Sequence, residues 1–121
     1  MNISFVTIPV CSMEESTAFY TSHLDFSVER SFSPADNLRI TFLTGGSGCK
    51  LELIERSGAF QEENSMISIG FEVENIQEVY ERFRAASVEV PEEPHSMPNG
   101  VTLMQARDPN GVRLGFVQYN R

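Results

Sequence analysis

Apolar and polar positions alternate at the start of the chain, with Ser4, Val6, Ile8 and Val10 on one side and Phe5 and Thr7 on the other. A period of two predicts a half-buried strand. The same alternation returns over 66–73, where Ile67, Ile69, Phe71 and Val73 form the apolar side and Ser68, Gly70 and Glu72 the other. A helix signal follows each strand. Ser12 with Glu15, and Asn75 with Glu78, have the spacing of a capping box, which satisfies N–H groups that a first helical turn leaves without partners. Ile76, Val79, Tyr80 and Phe83 recur at helical spacing and form one stripe. The first helix carries a weaker stripe, Met13, Ser16, Thr17 and Tyr20, with Phe19 and Leu24 nearby. Three strands are then predicted in each half: 27–32, 38–43 and 49–55, then a short 88–90, 101–107 and 112–119. The turns Gly45-Gly46-Ser47-Gly48 and Asp108-Pro109-Asn110-Gly111 are rich in residues that tolerate positive φ. The glycine-rich turn lacks the Lys-Ser/Thr of a phosphate cradle and reads as a hairpin.

One constant offset of 63 residues relates the halves without a gap. It carries Ser12 onto Asn75, Met13 onto Ile76, Tyr20 onto Phe83, Lys50 onto Arg113, Leu51 onto Leu114 and Ile54 onto Val117. The expected organisation is an α+β fold of two βαβββ modules, 1–56 and 66–121, joined by a linker over 57–65 within a single domain. Each module should cover one sheet face with its own helix and leave the other open. Two such modules can form a curved mixed sheet around a cup-shaped concave site, the default place for a ligand. Pairing within one chain and pairing across a dimer both fit the pattern.

Composition narrows the partners. The chain has 9 Lys and Arg against 17 Asp and Glu, a formal net charge of −8 over 121 residues. Nucleic acid is excluded as an expected partner, because phosphate binding needs a basic face. No apolar run has the length of a membrane span, so no membrane partner is expected. The start, Met1-Asn2-Ile3-Ser4, lacks a basic segment followed by an apolar one, and two cysteines make no disulfide framework. A cytoplasmic location is the expectation. Cys11 and Cys49 read as small buried or half-buried residues, and no acid–base partner adjoins either in sequence.

The motifs Phe5-Val6-Thr7-Ile8-Pro9-Val10, Ser12 to Phe19-Tyr20, His23-Leu24-Asp25-Phe26, Leu51-Glu52-Leu53-Ile54 and Asp108-Pro109-Asn110-Gly111 resemble the vicinal-oxygen-chelate superfamily. That superfamily includes glyoxalase I, bleomycin-resistance proteins and extradiol dioxygenases. The resemblance covers nearly the whole chain, with Asp25 standing where the family pattern has glycine. It implies a divalent metal in the cup of metal-dependent members, held at positions that fall here on Phe5, Glu52, Ser68 and Gly115. A catalytic ion usually needs about three protein ligands and an open position. Phe5 and Gly115 have no side-chain donor, Ser68 has only a hydroxyl, and Glu52 alone qualifies. The expectation is therefore no cofactor, with a divalent metal as the alternative.

The remaining candidates divide by position. Parity points Phe5, Thr7, Lys50, Glu52, Ser68, Glu72, Arg113 and Gly115 away from the helices and into the cup. Phe5 either stacks on a planar ligand or fills the cup with bulk. Lys50 and Arg113 anchor a polar end, Ser68 makes one hydrogen bond, and Glu52 and Glu72 favour a cationic or aromatic small molecule. Glu52 is also the one candidate general base. His23 closes the first helix, where an imidazolium complements the dipole. His95 lies in a proline-bearing loop over 91–100, and with Glu52 it makes a substitute metal site thinkable. Phe32, Phe42, Phe60, Met66, Met97 and Met104 read as core or interface. The resulting expectation is a homodimeric small-molecule-binding protein resembling bleomycin-resistance proteins. Its rivals are a lyase, isomerase or dioxygenase with relocated metal ligands, and a degenerate dimerisation domain.

Overall fold

A computed structural model describes residues 3–46, 48–57 and 68–120. Ser47, the Met66 and Ile67 positions of the second alternation and residues 58–65 of the expected linker, Phe60 among them, lie outside the described residues. The chain divides into two compact units, Met1–Glu62 and Glu63–Arg121.

Unit 1 runs β1 (Phe5–Pro9), α1 (Met13–His23), β2 (Ser27–Ala35), β3 (Leu38–Thr44) and β4 (Lys50–Arg56). Its sheet has the order β1-β4-β3-β2, with β1 parallel to β4 and the other pairs antiparallel. Unit 2 runs β5 (Ser68–Glu72), α2 (Ile76–Ala85), β6 (His95–Ser96), β7 (Val101–Arg107) and β8 (Arg113–Tyr119), in the equivalent order β5-β8-β7-β6. Shifted by 63, the bounds of β1, β3 and β4 are those of β5, β7 and β8. The α+β fold of two βαβββ units is the predicted one. Among the described residues no helix is long and apolar enough to cross a membrane.

Both helices start where the capping pattern places them. Ser12 Oγ accepts from Glu15 N at 3.3 Å and Asn75 Oδ1 from Glu78 N at 3.1 Å. A second acceptor comes from the last strand of each sheet: Glu55 Oε2 takes Met13 N at 2.8 Å, and Gln118 Oε1 takes Ile76 N at 2.8 Å. Each helix entry is thus tied to the sheet beneath it as well as to its own cap. After α1 the chain turns through Asp25 at φ 59, the left-handed conformation that explains the family's glycine; Asp adopts it more readily than most residues.

Each core lies between helix and sheet. In unit 1 it joins Ile8, Leu43, Leu51 and Leu53 to Met13, Phe19 and Tyr20 of α1. In unit 2 it joins Met104, Ala106, Leu114 and Phe116 to Ile76 and Phe83 of α2, with the Phe83 ring edge-on to Phe116 at 5.3 Å. The β7–β8 turn is held by Asp108, whose Oδ1 accepts from Asn110 N and Val112 N, both at 2.8 Å, while Gly111 supplies φ 81.

Three expectations are corrected. The short strand is not 88–90; there only Glu89 bridges Arg107, and the strand of two residues is His95–Ser96. Pro91 and Pro94 have no N–H to give a ladder, so pairing resumes only beyond them. His95 consequently sits in a strand rather than a loop. Cys11 is exposed, because Val10 takes the last inward position before the helix, whereas Cys49 is half-buried as expected. His23 does close α1, its ring edge-on to Phe19 at 5.3 Å.

Candidate functional site

With each helix occupying one face of its sheet, the opposite face of each unit is open, and strand register sorts its side chains into rows. On unit 1, Phe5 stands beside Lys50 and Thr44, and Thr7 beside Glu52 and Phe42. Pro9 stands beside Ile54 and Ile40. Phe5, Thr7, Lys50 and Glu52 therefore share the face that parity predicted for them. Thr7 Oγ1 donates to Glu52 Oε1 at 2.7 Å. Lys50 Nζ pairs with Glu29 at 2.8 Å, the carboxylate being re-aimed by a bulge between Val28 and Arg30.

The centre of this face is aromatic. Phe42 is only 7% exposed although it lies on the open side, because Phe5 covers it edge-on at 5.6 Å and Phe32 stacks on it at 6.5 Å. The Arg30 guanidinium sits 4.8 Å from the Phe42 ring centre and 5.2 Å from that of Phe32. Phe5 and Phe32 remain 46% and 41% exposed. Sequence reading assigned Phe32 and Phe42 to core or interface and passed over Arg30. Alternation along β3 held the signal, but only its register with β4 shows which side Phe42 takes.

On unit 2, Ser68 stands beside Arg113 and Arg107, and Gly70 beside Gly115 and Gln105. Glu72 stands in a further row with Val117, Leu103 and His95. The predicted residues Ser68, Glu72, Arg113 and Gly115 share this face with Gly70, where the alternation placed it, and Arg107, Gln105 and Leu103 join them unforeseen. Arg107 Nε pairs with Glu89 at 3.3 Å. Arg113 Nε is buried without a hydrogen-bond partner among the described residues. A depression of about 430 Å³ lies alongside, lined among others by Pro91, Glu92, His95, Leu103, Gln105 and Arg107.

The donor set does not fit a divalent ion. Phe5 contributes hydrocarbon, Gly115 nothing, and Ser68 one exposed hydroxyl; Glu52, the only carboxylate of the four, already accepts from Thr7. Among the described residues no group of three or more His, Cys, Asp or Glu side chains is placed to hold a metal.

Solved structures of the same fold include a glyoxylase/bleomycin resistance protein/dioxygenase domain from Frankia sp. EAN1pec, at 22% identity and TM-score 0.81 over 100% of this chain and 98% of that one. The trypanothione-dependent glyoxalase I of Leishmania major matches at 22% identity and TM-score 0.82, over 98% of this chain and 86% of that one. A glyoxalase family protein from Enterococcus faecalis matches at 23% identity and TM-score 0.81, over 96% of both chains. At these identities the likeness concerns the fold alone. Comparison with curated proteins gives no match. The sequence profile of one family matches residues 2–116, almost the full length over which the two βαβββ units repeat. On that match the chain belongs to the glyoxalase/bleomycin resistance protein/dioxygenase superfamily.

Proposed function

We propose that this protein binds a small organic molecule on the open faces of its βαβββ units without the divalent ion of metal-dependent superfamily members. The observation that carries the reading is the chemistry at the four projected metal positions: Phe5, Ser68 and Gly115 offer at most one hydroxyl, and Glu52 is engaged by Thr7 at 2.7 Å. Exposed rings support a planar or aromatic ligand body, since Phe5 and Phe32 flank Phe42 on the face that also carries Glu52. An aromatic body stacks there, and a positive group on it meets the Glu52 carboxylate. Sequestration or sensing is the corresponding role, in a cytoplasmic homodimer; two free cysteines are compatible with a reducing compartment.

The test is elemental analysis of protein purified without added metal, together with a thermal-shift screen of planar aromatic compounds in excess chelator. The expected result is Zn, Ni, Mn and Fe far below one equivalent, with stabilising compounds found in chelator and weakened by Glu52→Ala. Stoichiometric metal that Glu52→Ala releases, or stabilisation that vanishes on chelation, overturns the reading. Light scattering checks the dimer.

A further inference from the structure

Unit 2 contains an unusual cation. Arg113 is half-buried on the open face, makes no ion pair or hydrogen bond among the described residues, and buries its Nε without an acceptor. A guanidinium cannot shed its charge, and one held part-buried without an acceptor is destabilising, so Arg113 calls for an acceptor beyond the described residues of its unit. The surroundings leave room for one. Gly70 and Gly115 face each other in the adjoining row, and a Cβ built on Gly70 meets nothing within 4 Å, while one on Gly115 meets only the Ile69 carbonyl at 3.9 Å. Arg113 stands between Ser68 on one side and Arg107 on the other, with Gln105 beside Gly115. The repeat sharpens the contrast: Lys50, at the position of Arg113, is neutralised by Glu29, and Gly115 takes the position of Glu52.

We propose that the open face of unit 2 is a carboxylate site, in which Arg113 anchors the carboxylate of a small planar ligand whose body lies over Gly70 and Gly115. This rests on the reading of the open faces as ligand-binding and names the ligand class for one of them. A planar guanidinium matches a planar carboxylate in a two-bond fork. Charge count favours a monoanion over a phosphate dianion. Glu89 already offsets Arg107, leaving one positive charge of this row without a partner among the described residues, and Glu92 and Glu93 line the neighbouring depression and repel a second negative group. The net charge of −8 does not decide the matter, because screening limits distant charges beyond about 8–10 Å.

The experiment is a ¹H–¹⁵N NMR titration of the full chain, in chelator, with benzoate, benzylamine and phenyl phosphate. On the unit 2 face benzoate is expected to bind best and to shift the Arg113 Nε–H resonance. Arg113→Met should weaken benzoate about 10- to 100-fold, the usual loss when a charge-assisted bond goes. Gly115→Glu, which restores the carboxylate found at this position in unit 1, should abolish benzoate binding and keeps the test open if Arg113→Met fails to fold. Arg84→Met, on the exposed surface of α2, should leave benzoate affinity unchanged. Benzoate binding that survives both site variants, or tighter binding of benzylamine or phenyl phosphate at the unit 2 face, read from the Arg113 Nε–H and Gly115 resonances, overturns the carboxylate site and leaves metal-free binding standing. Benzoate binding that requires omission of the chelator, yet still falls in Arg113→Met, overturns metal-free binding and leaves the Arg113 anchor standing.

Discussion

The two units share a backbone plan strand for strand, yet their open faces carry opposite solutions to the same geometry. In unit 1 the row through Thr7 and Glu52 is filled, hydrogen-bonded and backed by Phe42, and the cation Lys50 has its counter-charge in Glu29. In unit 2 the corresponding row is Gly70 and Gly115, and the corresponding cation, Arg113, has no counter-charge among the described residues. The helix faces diverge far less. Leu51 and Leu114 are buried at equivalent points, and Glu55 and Gln118 receive the first N–H of their helices at the same 2.8 Å. Constraint therefore falls on the side where burial stabilises the fold, and variation falls on the side that a ligand meets.

That division can be broken most directly in the cores. Leu51→Ala and Leu114→Ala each remove a nearly fully buried side chain, and each should cost about 2–5 kcal/mol in denaturant unfolding. Costs that differ between them by more than about 2 kcal/mol would show that the two cores are not equivalent.

A smaller effect separates the β-turns. Asp108→Ala withdraws the acceptor of two buried backbone N–H groups and should cost about 1–3 kcal/mol, with faster amide exchange at Asn110 and Val112. Unit 1 has Gly45 at this position, so its turn has no side-chain acceptor there to lose. Unchanged exchange at Asn110 and Val112 would remove Asp108 from the account of the turn.

The smallest effect is also confined to unit 1. Arg39 of β3 donates to Glu14 of α1 at 2.7 Å and lies 3.7 Å from Glu55. The hydrogen bond from the Arg39 guanidinium, then one from Glu14's own backbone N–H, then the Arg39 charge hold the Glu14 carboxyl below the ordinary carboxylate range. A carboxyl depressed in the folded state adds stability above its unfolded pKa and loses it as pH falls through the folded value. Glu14→Gln should thus lower the melting temperature slightly at neutral pH, both partners being well exposed, and the difference from wild type should close in acid. A difference that grows in acid contradicts the ion pair as its cause.

How much of this was legible beforehand differs between fold and site. The caps at Ser12 and Asn75, the strand 101–107 and the α+β repeat were all readable, because each rests on local periodicity or on matching residues at one offset. The failed strand at 88–90 shows the limit of apolar alternation as a guide: Val88 and Val90 alternate, but the Val88 N–H goes to Phe83 O at the end of α2, and Pro91 and Pro94 stop the ladder from continuing beyond. The site residues predicted by parity did reach the open faces. Arg30, Phe42 and Arg107 were missed because their importance lies in which residues stand beside them across strands.

Sequence alone determined the two modules, their helix entries and the poverty of donor atoms at Phe5, Ser68 and Gly115, since composition and short-range spacing are properties of the chain itself. Tertiary structure decided that Thr7 binds Glu52, that Lys50 finds Glu29, and that Arg113 stands beside a glycine floor with no acceptor among the described residues. The physical reason is register. Alternation says that a strand has two faces, but only pairing between strands distant in sequence aligns their rows, and a slip of one residue would turn every one of these side chains to the other side.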